Sequence, residues 1–314
     1  MRNGLPSGEQ IEIAAGDQRA VVVEVGAGLR SYTVGGRDVI DGYGADEMAS
    51  AGRGQVLIPW PNRIEDGAYE FGGTWHHLPL SEPEARNAIH GLVRWVAWSV
   101  AERDGDRVVL EHTLHPQPGY PFSLGLRIEY ALTEEGLRVT SNAMNIGDRA
   151  CPYGSGQHPY VTLGAEGVDT LLLRAPGQTV LHADERGLPA RAESVEGTEY
   201  DFREPRAIGD TKLDNAFADL EREDDGRARV ELSDPDGGGG LSLWLGETYG
   251  YLQLFTGDPL PSVGRRSLAV EPMTCAPNAF RTGAGLLVLE PGESTTAQWG
   301  LQVSDHDLHL AGSD

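Results

Sequence analysis

The 314-residue sequence predicts an all-β fold, a large antiparallel β-sandwich. Three observations carry that expectation. Short runs of β-rich residues, often alternating apolar and polar, recur from residue 11 to residue 303. Gly, Asp and Pro separate them at short intervals. No stretch keeps a convincing helical period, and no long internal repeat is present. The strand signals keep one character throughout, so one domain spanning residues 1–314 is expected.

Residues 11–15, 20–25, 29–34 and 37–40 read as the first strands, with Gly35-Gly36 as a hairpin turn. Gly26-Ala27-Gly28 lacks the third glycine of a dinucleotide loop and no helix follows it, so it reads as a turn. Residues 55–64 run from a short apolar strand into Pro59 and Pro61 and then Asn62-Arg63. The prolines stiffen the approach, and Asn62 and Arg63 place donors and an acceptor in a small space. Residues 68–78 form a hairpin around Gly72-Gly73; the adjacent His76 and His77 point to opposite faces and make no metal pair. His90 lies beside Gly91, ahead of a Trp-rich strand expected at 92–100.

The alternation is clearest at 108–114, 123–132 and 137–145, with Glu134-Glu135-Gly136 as a tight turn. His158 follows two glycines and precedes Pro159, which pushes it towards an extended backbone at a strand end. Taken alone, His158 also fits a structural histidine bonded to a nearby carbonyl. Residues 175–212 read as a long irregular surface excursion. Asp214 follows it between apolar neighbours, a carboxylate near the core edge or an Asx turn. Residues 234–240 hold four glycines in a row but no following Lys-Ser/Thr, so they form a turn and no phosphate loop. Gln253 is a lone amide in an apolar strand and needs partners if buried. Residues 267–271 form an apolar strand that delivers Glu271 ahead of Pro272. The last strands are 285–289 and 295–303.

Composition narrows the function. The formal charge of −23 argues against nucleic acid or an anionic membrane surface as partner and suits a neutral ligand. The two cysteines, Cys151 and Cys275, fit no zinc spacing; free thiols in a cytoplasmic protein are the simpler reading. No apolar stretch matches a signal peptide or a membrane span. The titratable set at strand ends is His90, His158, Asp214 and Glu271, accompanied by Asn62, Arg63 and Gln253. It lacks a nucleotide loop, a clean metal triad and the elbow of a serine hydrolase, and a Cys151–His158 nucleophile pair has no supporting signature. A carboxylate and imidazoles remain, suited to proton transfer with no cofactor and no metal.

Pro59-Trp60-Pro61-Asn62-Arg63-Ile64, His90-Gly91, Gly154-Ser155-Gly156-Gln157-His158-Pro159-Tyr160, Leu213-Asp214, Gln253 and Val270-Glu271-Pro272 together resemble the aldose 1-epimerase (galactose mutarotase) family. The likeness runs from about residue 10 to residue 303. It implies the family's wide antiparallel sandwich with a sugar cleft, and an isomerase of carbohydrate metabolism. It implies that His158 is the catalytic acid, Glu271 the catalytic base and His90 a second active-site histidine. Asn62, Arg63, Asp214 and Gln253 are then the sugar-binding residues. The best-known mutarotases carry a Thr-Asn-x-x-Tyr-Phe-Asn type sequence near the acid; Gly-Ser-Gly-Gln-His-Pro-Tyr-Val here looks more like a bacterial branch.

The expected substrate is a free aldohexose such as glucose or galactose. The rival is a hexose 6-phosphate, for which Arg53, Arg86 and Arg94 would have to converge. A non-catalytic sugar-binding protein would not need both His158 and Glu271. A cupin-like metalloenzyme would need clustered His/Glu ligands that the linear sequence does not display.

Overall fold

The computed structural model describes residues 4–164, 167–237, 239–260 and 264–304. Its architecture is the expected one: antiparallel sheets, with one short helix, Ala279–Thr282, among the described residues. A nine-stranded sheet has its longest strands at its centre, Leu124–Thr133, Gly136–Asn145 and Ser294–Ser304. An eight-stranded sheet runs from Pro189–Ser194 through Gly177–Ala183, Asp214–Leu220, Tyr251–Phe255 and Leu268–Met273 to Gly156–Gln157 and Val56–Leu57. Tyr160–Val161 adds to it alongside Leu268–Met273. A four-stranded N-terminal sheet, Gln10–Ala15 to Arg37–Asp38, completes the larger layers.

The core lies where the inward faces of the sheets meet. Leu126, Ile128, Val139 and Trp299 from one side join Phe217, Leu252, Leu254 and Val270 from the other in one hydrophobic cluster. A polar pin crosses it. Gln157 accepts from the indole of Trp299 at 3.0 Å, and its amide donates to the Tyr130 hydroxyl at 2.7 Å. Tyr130 in turn donates to the Ala27 carbonyl at 2.6 Å. Neighbouring residues of an extended chain point to opposite faces, so the inward anchoring of Gln157 aims His158 outward.

Three expectations need correction. Residues 92–98 form no strand: Arg94 and Trp95 sit in a turn, and the strand begins at Ser99. Val93 and Trp98 are both buried, and the Trp98 indole donates to the Val93 carbonyl at 3.4 Å, closing the turn. The stretch 175–212 holds strands Gly177–Ala183, Pro189–Ser194 and Arg206–Ala207; its charged residues are outward or edge positions that mask the alternation. Glu271 lies inside strand Leu268–Met273, which continues through Pro272 opposite Leu252, so it does not end the strand.

Candidate active site

All of the site residues expected from sequence line one cleft of about 360 Å³: Asn62, Arg63, His90, His158, Asp214, Gln253 and Glu271. That volume lies in the range of small-molecule sites. Its floor is the outer face of the eight-stranded sheet. Gln253 and Glu271 are direct cross-strand partners, and Asp214 opposes Phe255 two residues along, so all three project from the same face. The Gln253 amide donates to Asp214 at 2.9 Å, which supplies the partner its burial demands. Asp214 opens its strand at the cleft mouth and remains exposed.

The walls come from loops. Asn62 and His90 interlock at φ values of 52° and 62°. The Asn62 N–H donates to His90 Nδ1 at 3.2 Å, and the His90 N–H donates to the Asn62 carbonyl at 2.9 Å. An accepting Nδ1 fixes the proton of neutral His90 on Nε2. Arg63 forms a bidentate pair with Glu82 at 2.7 and 3.0 Å. Glu82 also lines the cleft and was absent from the sequence-derived set. Tyr160 is a further omission: its ring stacks on His158 at 5.0 Å and 12°, and its hydroxyl is tied to the Ala51 carbonyl. Gly52 lies against His158. A Cβ there would come within 2.5 Å of His158 Cδ2, at a φ of 78°.

His158 Nε2 lies 3.3 Å from Glu271 Oε1, and the side chains are 6% and 3% exposed. Burial pushes the His158 imidazole down and the Glu271 carboxyl up, with Asp214 adding to the upward push and Arg63 opposing it. Mutual attraction favours an ionised Glu271 beside a protonated His158. Burial in the cleft strips both groups of water, and that loss of solvation opposes the separation of charge. Both shifts nevertheless leave a single proton on the pair over a wide pH range. Burial likewise keeps His90 neutral, reinforced by the nearby His158, Arg94 and Arg63. Glu271 Oε2 and His158 Nδ1 are buried without a hydrogen-bond partner among the described residues.

The fold also gathers His90, His158 and Glu271 so that one ligand atom from each lies within 4.8 Å of the others. That corrects the expectation that no His/Glu ligands cluster: residues far apart in sequence reach one point in space, and the set has the donor types of a divalent-cation site. The arginines weighed for phosphate do not converge. Arg53 pairs with Asp41 at 3.4 Å, Arg86 with Asp66 at 3.1 Å, and of these only Arg94 lines the cleft. Among the described residues no helix is long and apolar enough to cross a membrane.

Comparison with known proteins gives the family and the fold. The family described as aldose 1-epimerase matches residues 9–302. The uncharacterized protein YihR of Escherichia coli (strain K12) is 38% identical over 91% of this chain and 91% of its own. Among solved structures, a GalM/aldose epimerase homologue from C. elegans superposes with a TM-score of 0.84 at 19% identity, covering 95% of this chain and 99% of that one. Galactose 1-epimerase from Lactobacillus acidophilus NCFM gives 0.78 at 23% identity, covering 94% of each chain. At these identities the structural likeness speaks for the fold.

Proposed function

The chain belongs to the aldose 1-epimerase family, and from that premise we propose that it interconverts the α and β anomers of an aldohexose by acid/base ring opening. The observation that carries this reading is the His158–Glu271 contact of 3.3 Å, buried in a cleft of sugar size. Ring opening removes a proton from the anomeric hydroxyl and adds one to the ring oxygen. Both oxygens sit on one carbon, so acid and base must reach within about 3 Å of them from adjacent positions.

In this mechanism the sugar hydroxyl donates to Glu271, whose Oε2 has no other partner. That hydrogen bond favours the carboxylate, and the proton held by the pair moves onto His158 Nε2. Glu271 then takes the hydroxyl proton as His158 protonates the ring oxygen. The bond from C1 to the ring oxygen breaks and an open aldehyde forms. Rotation about C1–C2 and reclosure, with both transfers reversed, give the other anomer. Arg63 and the Nε2–H of His90 stabilise negative charge as it develops on oxygen. Asp214, Gln253 and Asn62 hold the remaining hydroxyls.

Glucose and galactose are the reference substrates, in preference to a 6-phosphate, because Arg53 and Arg86 are engaged elsewhere. The reaction requires no cofactor in this reading, since two side chains make both proton transfers; dialysis against a chelator should leave the rate unchanged. We also take residues 1–314 as one folding unit, supported by the continuous hydrophobic cluster that both large sheets share. The decisive test is polarimetry on freshly dissolved sugars. Wild-type protein should accelerate mutarotation, and Glu271→Gln and His158→Asn should each lose about 10²–10⁴-fold. Near-normal activity in either variant overturns the mechanism.

A further inference from the structure

Arg63 is held in part by a stretch of chain that the proposed chemistry does not use. Strands Gly177–Ala183 and Pro189–Ser194 form a hairpin at the edge of the eight-stranded sheet, joined by residues 184–188. The tip is bonded within itself and then to the cleft wall. The Asp184 carboxylate accepts from the N–H groups of Arg186 and Leu188 at 2.8 and 2.9 Å. The Arg186 side chain donates to the Ala85 carbonyl at 3.0 Å and to Asp66 at 2.9 Å. The buried Asn87 amide donates to the Arg186 carbonyl at 2.8 Å. Asn87 also exchanges backbone hydrogen bonds with Glu82, at 3.0 and 3.1 Å. One set of bonds therefore ties the hairpin tip to the loop that carries Glu82.

This docking sets Gly187 on Arg63. Gly187 has a φ of 75°, and a Cβ there would come within 2.7 Å of Arg63 Nη1, 2.8 Å of Cζ and 3.0 Å of Nε. Three guanidinium atoms at nearly one distance mean that Gly187 lies over the flat face of the group. Glu82 holds the edge, accepting from Nε at 2.7 Å and from Nη2 at 3.0 Å. A bidentate fork fixes that edge but lets the plane rock about it; backbone against the face stops the rocking. A guanidinium has five N–H donors, and the fork uses two. Nη1 has no hydrogen-bond partner among the described residues, and Arg63 lines the cleft. Glycine is needed at the tip for its left-handed backbone and for the close approach it allows.

We propose that residues 184–188 are a positioning element of the active site. Arg186 docks the tip, and Gly187 holds the Arg63 guanidinium where its free donors meet negative charge on the substrate oxygen. This rests on the anomer-exchange reading above and adds to it two positioning residues that lie outside the lining of the catalytic cleft.

The test measures anomer exchange of glucose and galactose by NMR, over a range of sugar concentrations, together with Tm. The proteins are wild type, Gly187→Ala, Arg186→Met and Arg63→Gln, the double variants of Arg63→Gln with each of the other two, and Gly197→Ala. Gly197 has a φ of 74° and a Cβ there meets nothing within 4 Å, so it controls for backbone strain. Arg63→Gln should lower kcat by about 100-fold. Gly187→Ala should lower kcat by about 10-fold with KM within about twofold, because the charge that Arg63 meets develops only in the transition state. Arg186→Met should lower kcat in the same sense by less. In the Arg63→Gln background both changes should have no further effect beyond about twofold. Gly197→Ala should lose Tm but not rate. Wild-type kcat in both Gly187→Ala and Arg186→Met overturns the proposal. So does a loss that persists in the Arg63→Gln background, or an equal loss of rate in Gly197→Ala. If Gly187→Ala does not fold, Arg186→Met alone and with Arg63→Gln decides. Exchange by wild type without this coupling to Arg63 overturns this inference alone; no exchange of either sugar overturns the proposed function as well.

Discussion

In the nine-stranded sheet, strand Leu124–Thr133 buries Leu124, Leu126, Ile128 and Tyr130 and turns Arg127 fully outward, with Gly125 and Glu129 partly so. In the eight-stranded sheet, strand Leu268–Met273 is buried at every position. The first pattern is that of a sheet with one wet face. Its outer face carries ion pairs such as Arg127–Glu102 at 2.6 Å and Arg107–Glu129 at 2.6 Å, open to solvent and readily screened. The second sheet is covered on both faces, by the core on one and by the cleft walls on the other. Its polar residues, Gln253 and Glu271, are thereby stripped of water. One side of the sandwich keeps its charges hydrated and inert, and the other places a carboxylate and imidazoles where their protonation is unsettled.

The sharpest way to break this comparison is to remove the pair that defines it. The double variant Glu271→Gln/His158→Asn should lose little more activity than either single variant, because the two act as one unit. Losses that multiply would mean the groups work independently. The next largest effect concerns support of the acid. Gly52→Ala forces a Cβ towards His158 Cδ2 at 2.5 Å and should lower kcat by about 10- to 100-fold through displacement of the ring. Gly125→Ala is its counterpart in the other sheet. A Cβ there meets only Ile146 Cγ2 at 3.4 Å, so activity should be retained. Equal effects at the two glycines would erase the distinction.

The buried pair should also show in the pH dependence of stability, with opposite signs. Burial takes His158 from 6.5 to about 3. Between those values the unfolded chain binds the proton and the folded chain does not. Its contribution to stability therefore rises as pH climbs through that window and is complete above it. Glu271 is held well above 4.5, so its contribution is complete below 4.5 and is lost as pH rises through the elevated value. Thermal unfolding across pH should show His158→Asn losing less Tm than wild type between pH 7 and pH 4. Glu271→Gln should lose less than wild type on the alkaline side. Parallel pH profiles for all proteins would mean that neither group is desolvated.

What the sequence disclosed follows the same division. Strands with one wet face announce themselves by alternation, so residues 108–114 and 137–145 matched the observed strands closely. The site residues were legible because a titratable group beside glycine or proline stands out in a β-rich chain, and because their order resembles a known family. Glu82 was not legible. It lies in a charged loop with Glu84, and only the folded chain shows which acid clasps Arg63. Trp95 was hidden in a Trp-rich run that reads as a strand, although the buried Val93 and Trp98 close it into a turn. Tyr160 gave no signal because stacking on a neighbour two residues away has no signature in the order of residues.

The smallest expected effect is on the outer face, and it bounds the comparison from below. Arg127 reaches Glu102 at 2.6 Å, and Glu102 also accepts from Arg107 at 2.9 Å. These carboxylates and guanidiniums remain in water, where hydration competes with every pair. Removing Arg127 leaves Glu102 with Arg107 and exposes no unpaired buried group. Arg127→Ala should therefore shift Tm by no more than about 2 °C, and less still at high salt. Its mutarotase rate should stay within about twofold of wild type, because the residue faces away from the cleft and lies on the other sheet. Differential scanning calorimetry and polarimetry on one preparation measure both. A large loss of activity with an unchanged Tm would show that the outer face of the nine-stranded sheet communicates with the cleft, and the two sheets could no longer be treated as separate in function.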